Sequence, residues 1–333
     1  MSESTRPGGA NGDTSGRSLL LPDAPAGGVV PQAEFVERAA CINCGGKDLL
    51  ELSRGRFTDE PLRSFIRADP WGEDPLPHLQ DAEWVFVRCA DCRQKFHARV
   101  LSPEWEQRRF ARWMSAEAIE EFERRLPDPT RRKLDKGRHY AGHILRIDAL
   151  TRPIRRAGEP VRFLDFGCGW GECLAMAQLF GFDVRGVDRS TARRQGCRVP
   201  VAASLAELAE PPASFHAVAL FETLEHLGDP AGVLRELAPY LMRGGVLILE
   251  TPDCAGITGI RSEHDYRMIG PMDHINAFTP ETLRSIAERA AGVCRIPRRA
   301  TYVTADAGRV LRTAVKRVLR HDDRSTQLSF VKV

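Results

Sequence analysis

The chain has 333 residues, 42% of them hydrophobic and 28% charged, with a formal net charge of +3. That composition suits a globular protein with one large and one smaller domain, and the near balance of charge singles out no particular partner. No apolar run reaches the roughly 20 residues that span a bilayer. The run at 19–21 is cut by Pro22 and Asp23, so no signal-peptide core is read and a cytoplasmic location is expected.

Residues 1–33 are rich in Gly, Ser, Pro and Asp without apolar periodicity, so they are expected to form a disordered tail. Residues 34–100 hold two C-x-x-C knuckles, Cys41-Ile42-Asn43-Cys44 and Cys89-Ala90-Asp91-Cys92. Two such knuckles supply the four thiolates of a closed structural zinc site, and the chain has nine cysteines, an odd number that disfavours full disulfide pairing. His78 and His97 are spare ligands by position and are read as exposed polar residues.

Residues 101–150 read as a helical linker, with Ser102 as cap, Pro103 in the first turn, and Pro127 and Pro129 as breaks. The basic runs Arg108-Arg109, Arg124-Arg125 and Arg131-Arg132-Lys133 are interleaved with Glu117, Glu120, Glu121 and Glu123, which marks a solvated helix face rather than a phosphate track. Tyr140 and His143 are candidates to close over a cofactor.

Residues 151–333 alternate strands and helices. Strands are expected at 161–166, 184–187, 199–202, 215–221 and 246–249, with helices at 171–180 and after Asp229-Pro230, the latter running to Gly244. This order implies a parallel sheet covered on both faces.

The first of these strands runs into Asp165-Phe166-Gly167-Cys168-Gly169-Trp170-Gly171-Glu172, three glycines spaced two apart before a helix. Glycine lets the backbone turn sharply and approach a ligand closely. A dinucleotide site needs a third glycine where Glu172 stands, and that carboxylate repels a pyrophosphate. A positively charged sulfonium with an amino group suits the same charges, with Asp165 placed to attract the amine. Asp188, ending the second strand, stands where doubly wound sheets grip a ribose.

These residues resemble the class I S-adenosylmethionine-dependent methyltransferases. Residues 164–172 look like their first motif, and Asp188 like their ribose-binding acid. Phe221-Glu222-Thr223-Leu224-Glu225-His226-Leu227, the turn at Gly244-Gly245 and Asp273-His274-Ile275-Asn276-Ala277-Phe278-Thr279-Pro280 resemble the branch of quinone-type O-methyltransferases. The cysteine pairs look like the N-terminal zinc-binding module of some bacterial members.

The resemblance implies an α/β fold, a Rossmann-like doubly wound seven-stranded sheet with one antiparallel strand, preceded by the zinc module and helical linker. It implies S-adenosylmethionine contacts at Asp165, Gly167, Cys168, Gly169, Gly171, Asp188, Arg189, Ala203, Ser204 and Glu222. Where the family often has an adenine-binding Asp, this chain has Ala203-Ser204, so backbone groups are expected there. The insertion at 253–278 is expected to fold over the site as a lid.

An oxygen nucleophile needs a base, and histidine has a suitable pKa. His226 and His274 are preferred over His264 as candidates. Glu225, adjacent in sequence to His226, is not expected to orient it. The segment at 222–225 lacks the Asn/Asp-Pro-Pro-aromatic loop of amino-methylating nucleic-acid enzymes and the Pro-Cys of cytosine C5 enzymes. The expected acceptor is a small molecule (a metabolite, sugar or lipid-linked compound). The alternatives are an RNA acceptor gripped by the zinc module and basic helices, or a scaffold without catalysis. Oligomeric state is not readable.

Overall fold

The computed structural model describes residues 30–296 and 325–333. Nearly all of the expected disordered tail lies outside the described residues.

The cysteine-bearing part comprises β1 (Phe35–Glu37), β2 (Leu49–Arg56), α1 (Leu62–Ala68), β3 (Glu83–Cys89), β4 (Lys95–His97) and β5 (Arg99–Leu101). β1 and β5 form a two-stranded ribbon, while β2, β3 and β4 pair antiparallel. α2 (Pro103–Arg108) starts because the Ser102 hydroxyl accepts the Trp105 N–H, and Pro103 has no amide proton to leave unpaired. A π-turn at Arg109–Trp113 leads to α3 (Ala116–Arg125) and then α4 (Pro129–Thr151).

Two basic residues depart from the expected solvated face. Arg108 and Arg109 are each 2% exposed. Arg108 pairs with Glu73, and Arg109 Nη1 lies 2.6 Å from Asp273 Oδ1. Trp105 and Trp113 turn this stretch inward, and a guanidinium follows them only where a carboxylate meets it. His78 and His97 are likewise buried rather than exposed. His97 Nε2 lies 2.8 Å from the Ile269 carbonyl, and His78 Nδ1 lies 2.8 Å from that of Pro31.

The second half contains β6 (Arg162–Phe166), α5 (Glu172–Leu179), β7 (Asp183–Val187), α6 (Thr191–Gly196), β8 (Val201–Ala202), β9 (Phe215–Phe221) and α7 (Pro230–Leu237). It continues with β10 (Leu241–Pro252), α8 (Glu263–Ile269), β11 (Asn276–Ala277), α9 (Pro280–Ala291), β12 (Val293–Ile296) and β13 (Ser325–Lys332). Seven strands make one sheet in the order β12-β13-β10-β9-β6-β7-β8. β13 runs antiparallel to both its neighbours, and the pairs from β10 to β8 are parallel. This is the Rossmann-like doubly wound α/β sheet with one reversed strand. α4 and α5 supply Ile144, Ile147, Leu174 and Ala177 to one buried cluster, and α7 and α9 supply Leu234, Leu237, Leu283 and Ile286 to another.

Two boundaries differ from the sequence reading. α7 stops at Leu237 because Pro239 follows in a short 3₁₀ turn and brings no amide donor. β10 begins at Leu241 rather than 246, since its pairing with β9 skips from Leu241 to Val246 across an irregularity holding Gly244 at φ 75°.

The insertion after β10 does more than cover the sheet. β11 pairs antiparallel with β4, adding a fourth strand to the cysteine-bearing sheet. Buried Lys95 donates to the carbonyls of Cys254 and Ile257 at 2.5 and 2.8 Å, and Gln94 donates to that of Ala277 at 2.9 Å. Phe57, Ile66, Trp84 and Phe86 share one apolar cluster with Ile257, Ile260, Tyr266, Ile269 and Met272. Each fully buried side chain of this kind contributes about 1.5–3 kcal/mol.

Asn276 joins this unit to the turn after β9. Its amide donates to the Leu224 and Leu227 carbonyls at 2.9 and 2.7 Å and accepts from Arg38 at 2.8 Å. Asn276→Ala is expected to lower the unfolding free energy by about 2–4 kcal/mol, as three hydrogen bonds go and buried carbonyls lose their donors. Urea denaturation checks this, and a change below about 0.5 kcal/mol would contradict it.

Candidate active site

The glycine loop sits at the carboxyl end of β6. Gly167 has φ 79°, and a Cβ there would stand 2.5 Å from Thr223 Oγ1, so only glycine fits. The Gly169 amide donates to Asp188 Oδ2 at 2.8 Å, and the Ser190 amide to Asp188 Oδ1 at 2.9 Å. Each oxygen keeps a second lone pair for a ligand hydroxyl. The start of α5 is taken by Glu172, which pairs with Lys136 and accepts from the Tyr140 hydroxyl at 3.4 Å. The carboxylate at the start of α5 is therefore already paired with a cation and a hydroxyl.

A cavity of about 500 Å³ opens at this sheet edge. Its wall includes Gly167, Asp188, Arg189, Ala203, Ser204, Glu222, His226 and His274. Asp165, Cys168, Gly169 and Gly171 are not part of that wall. Asp165 is buried behind the loop with Oδ1 unpartnered, and burial, reinforced by Asp188, pushes its carboxyl up to about 7. His264 is exposed on α8, away from the cavity. Tyr140 and His143 do not reach the wall either.

His226 lies on a 3₁₀ turn, Leu224–His226, just after β9. Its Nδ1 is 3.0 Å from Asp273 Oδ1, and its ring meets that of His274 edge-on with centroids 4.8 Å apart. Burial works to lower its pKa, but the charge and hydrogen bond of Asp273 outweigh that and raise it to about 9. Asp273 is held well below the usual carboxylate range, against the effect of burial, by His226 and Arg109. His274 falls to about 4 through burial and the neighbouring His226 charge.

Glu225, next to it on the same 3₁₀ turn, lies 3.9 Å from His226 Nε2. Its two oxygens are buried without partners, and burial pushes it up to about 8. Glu222, open to the cavity, rises to about 7 through loss of solvent and the charge of Glu250. Glu225, His226 and His274 present ligand atoms all within 4.8 Å of one another, a set able to trade protons or hold a divalent cation.

Sequence reasoning placed both histidines near the site but missed Asp273 as the partner of His226 and Arg109 as the partner of Asp273. The Asp273-His274 pair was visible in the insertion. Nothing in the run Arg108-Arg109 distinguished a buried guanidinium from an exposed one.

Residues 91–292 match the family described as "Methyltransferase domain". The chain belongs to that family. Its methyltransferase domain is 32% identical over 131 residues to a ubiquinone biosynthesis O-methyltransferase of Caulobacter sp. (strain K31), covering 35% of this chain and 52% of that protein. A protein of the same name from Aeromonas salmonicida (strain A449) is 32% identical over 151 residues, covering 40% and 63%. The chain thus spans between half and two thirds of the length of these relatives. A solved S-adenosylmethionine-dependent methyltransferase from Archaeoglobus fulgidus is 21% identical, with a TM-score of 0.38, over 56% of this chain and 93% of its own.

The four cysteines converge. Cys41 and Cys92 sulfurs are 3.4 Å apart, Cys44 and Cys89 sulfurs 3.5 Å, and all four lie within 4.8 Å of one another. Burial pushes the Cys41 and Cys92 thiols up. Four such sulfurs ionise together only around a cation.

Proposed function

We propose that this chain is an enzyme that transfers the methyl group of S-adenosylmethionine to an oxygen of a small-molecule acceptor. The observation that carries the reading is that one cavity joins Asp188, Ala203 and Ser204 to His226, His274 and Glu222. The donor end and the proton-handling end therefore share a single space. The name of the curated relatives supports oxygen as the target atom.

S-adenosylmethionine supplies an electrophilic methyl on a sulfonium. Asp188 and Gly167 would hold the ribose end, with the Gly169 amide fixing the Asp188 carboxylate. Backbone groups at Ala203 and Ser204 would face the adenine, and buried Asp165, with its carboxyl raised to about 7, would back the loop. The turn after β9 brings His226 Nε2 to the acceptor hydroxyl, and Asp273, fixed by Arg109, orients the ring and balances its charge once it is protonated. Alignment of the two reactants accounts for much of the rate.

A second space of about 310 Å³ shares Asp273 and His274 with the main cavity and is walled by Trp71, Phe122, Leu126, Tyr266 and Met272. It suits an acceptor with an apolar body. The walls come from the cysteine-bearing part, the helices and the insertion, so acceptor choice resides outside the Rossmann-like sheet.

We propose zinc at Cys41, Cys44, Cys89 and Cys92, where four sulfur ligands leave no open position and make the ion structural. Reduced thiols fit a cytoplasmic protein. No helix among the described residues is long and apolar enough to cross a membrane.

Incubation with isotopically labelled S-adenosylmethionine and a metabolite extract tests the activity. Calorimetry showing NADH uptake and none of S-adenosylmethionine would overturn it. The pH profile tests the base. With His226 at about 9, its neutral form is scarce at pH 7, so kcat/KM should climb about tenfold per unit from pH 7 to 9 and then level. His274 as the base would give a profile flat over that span, since it is neutral throughout. Stability runs the other way: a folded pKa raised above the unfolded value stabilises fully below the unfolded pKa and loses that gain as pH passes 9.

A further inference from the structure

α4 carries a second convergence of ligand atoms, separate from the cysteines and from the wall of the cofactor cavity. His139 and His143, four residues apart, stand one above the other on one face of the helix. Glu250, near the end of β10, reaches the same point from the sheet. His139 Nε2 lies 2.9 Å from His143 Nε2 and 3.2 Å from Glu250 Oε1, and His143 Nε2 lies 3.3 Å from Glu250 Oε2. Ligand atoms bonded at about 2.1 Å to one ion stand about 3.0 Å apart at a right angle and about 3.4 Å apart at the tetrahedral angle. All three contacts match that spacing.

The surroundings resemble those of a built site. The His143 ring stacks on Phe221 with centroids 4.0 Å apart, and its Nδ1 lies 2.8 Å from the side-chain amide of Gln327. The amide, whose oxygen accepts from Arg146, holds the ring in place, as an outer partner of an imidazole does. Gln327 also touches Glu250. The His143 and Glu250 side chains are 3% and 4% exposed, whereas that of His139 is 52% exposed. The site has a buried floor and one open side through which an ion and its water can enter.

We propose that His139, His143 and Glu250 bind a divalent transition-metal ion, zinc or a neighbour in the series, with two nitrogens, one carboxylate and water on the open side. The ion ties α4 to β10 and, through Gln327, to β13. In the metal-free chain one proton between the two Nε2 atoms accounts for the same close contact, so the two states differ in what sits between the rings.

The test is equilibrium dialysis of the full chain at a buffered free-zinc concentration, with metal counted by mass spectrometry. His139→Ala, at a half-exposed position, is measured beside it, with circular dichroism as the check on folding. The unsubstituted chain should hold one more equivalent of zinc than His139→Ala, and Glu250→Gln should show the same loss. Ions held by the cysteines or near His226 cancel in this difference. Cobalt loading should give a difference spectrum with weak d–d bands and no sulfur charge transfer. Equal zinc content in the unsubstituted chain and His139→Ala, or a cobalt difference made only of thiolate bands, overturns the site.

Discussion

Asp188→Ala is expected to weaken S-adenosylmethionine binding by about 100-fold or more, the largest effect of any single substitution on the cofactor. The carboxylate accepts the amides of Gly169 and Ser190 and so holds the glycine loop against the end of β7. As the proposed charged partner of the cofactor it is worth about 1.5–3 kcal/mol, and its removal frees the loop at the same time. Every 1.4 kcal/mol or so is a factor of ten in affinity. A cofactor present at 100 times its Kd stabilises the native state by about 2.7 kcal/mol. In a thermal melt that gain should vanish in Asp188→Ala and partly survive in Asp188→Asn, whose side chain keeps an acceptor oxygen but no charge. Unchanged affinity by calorimetry would remove Asp188 from the site.

Chelation of the zinc proposed at Cys41, Cys44, Cys89 and Cys92, or Cys89→Ser, should abolish methyl transfer while leaving much of the cofactor affinity. Structural zinc contributes about 10–16 kcal/mol in small zinc domains, comparable to the whole stability of a typical fold. The cysteine-bearing sheet is completed by β11, and its apolar cluster is shared with the insertion that carries Asp273 and His274. Loss of the metal therefore loosens the acceptor wall along with the knuckles. The glycine loop and Asp188 belong to the other sheet and should hold. Calorimetry with S-adenosylmethionine, activity on the acceptor, and amide exchange over residues 83–101 and 254–278 read the three parts separately. Equal protection with and without chelator would refute the coupling.

Much of this architecture was legible from local chemistry. Ser102 and Asp229 each cap the helix expected after them, and Thr279 caps α9, with Pro103, Pro230 and Pro280 in the first turn. Phe278 and Leu283 both enter the main apolar cluster, in keeping with a staple across the start of α9. The glycine loop and Asp188 are close in sequence and are bound by short-range geometry, so their juxtaposition could be read directly.

The illegible part depends on contacts between distant residues. Arg109 meets Asp273 across 164 positions, and Arg38 meets Asn276 across 238. A run such as Arg108-Arg109 carries no periodic signal that separates a buried ion pair from a solvated stripe. His78 and His97 looked like exposed residues for the same reason, since the carbonyls that satisfy them belong to other segments. The insertion was expected as a lid, and no pattern in it showed that two of its residues would finish a sheet begun near the other end of the chain.

That late-arriving strand bears on how the protein is made. Gln94 waits for Ala277, 183 positions further on, to receive its hydrogen bond. During synthesis the open flank of β4 leaves the ribosome long before its partner exists, and an unpaired strand edge invites association with other chains. A fragment cut after residue 101 would keep that vulnerability permanently. Until residues 276–277 emerge, that edge of β4 has no strand partner.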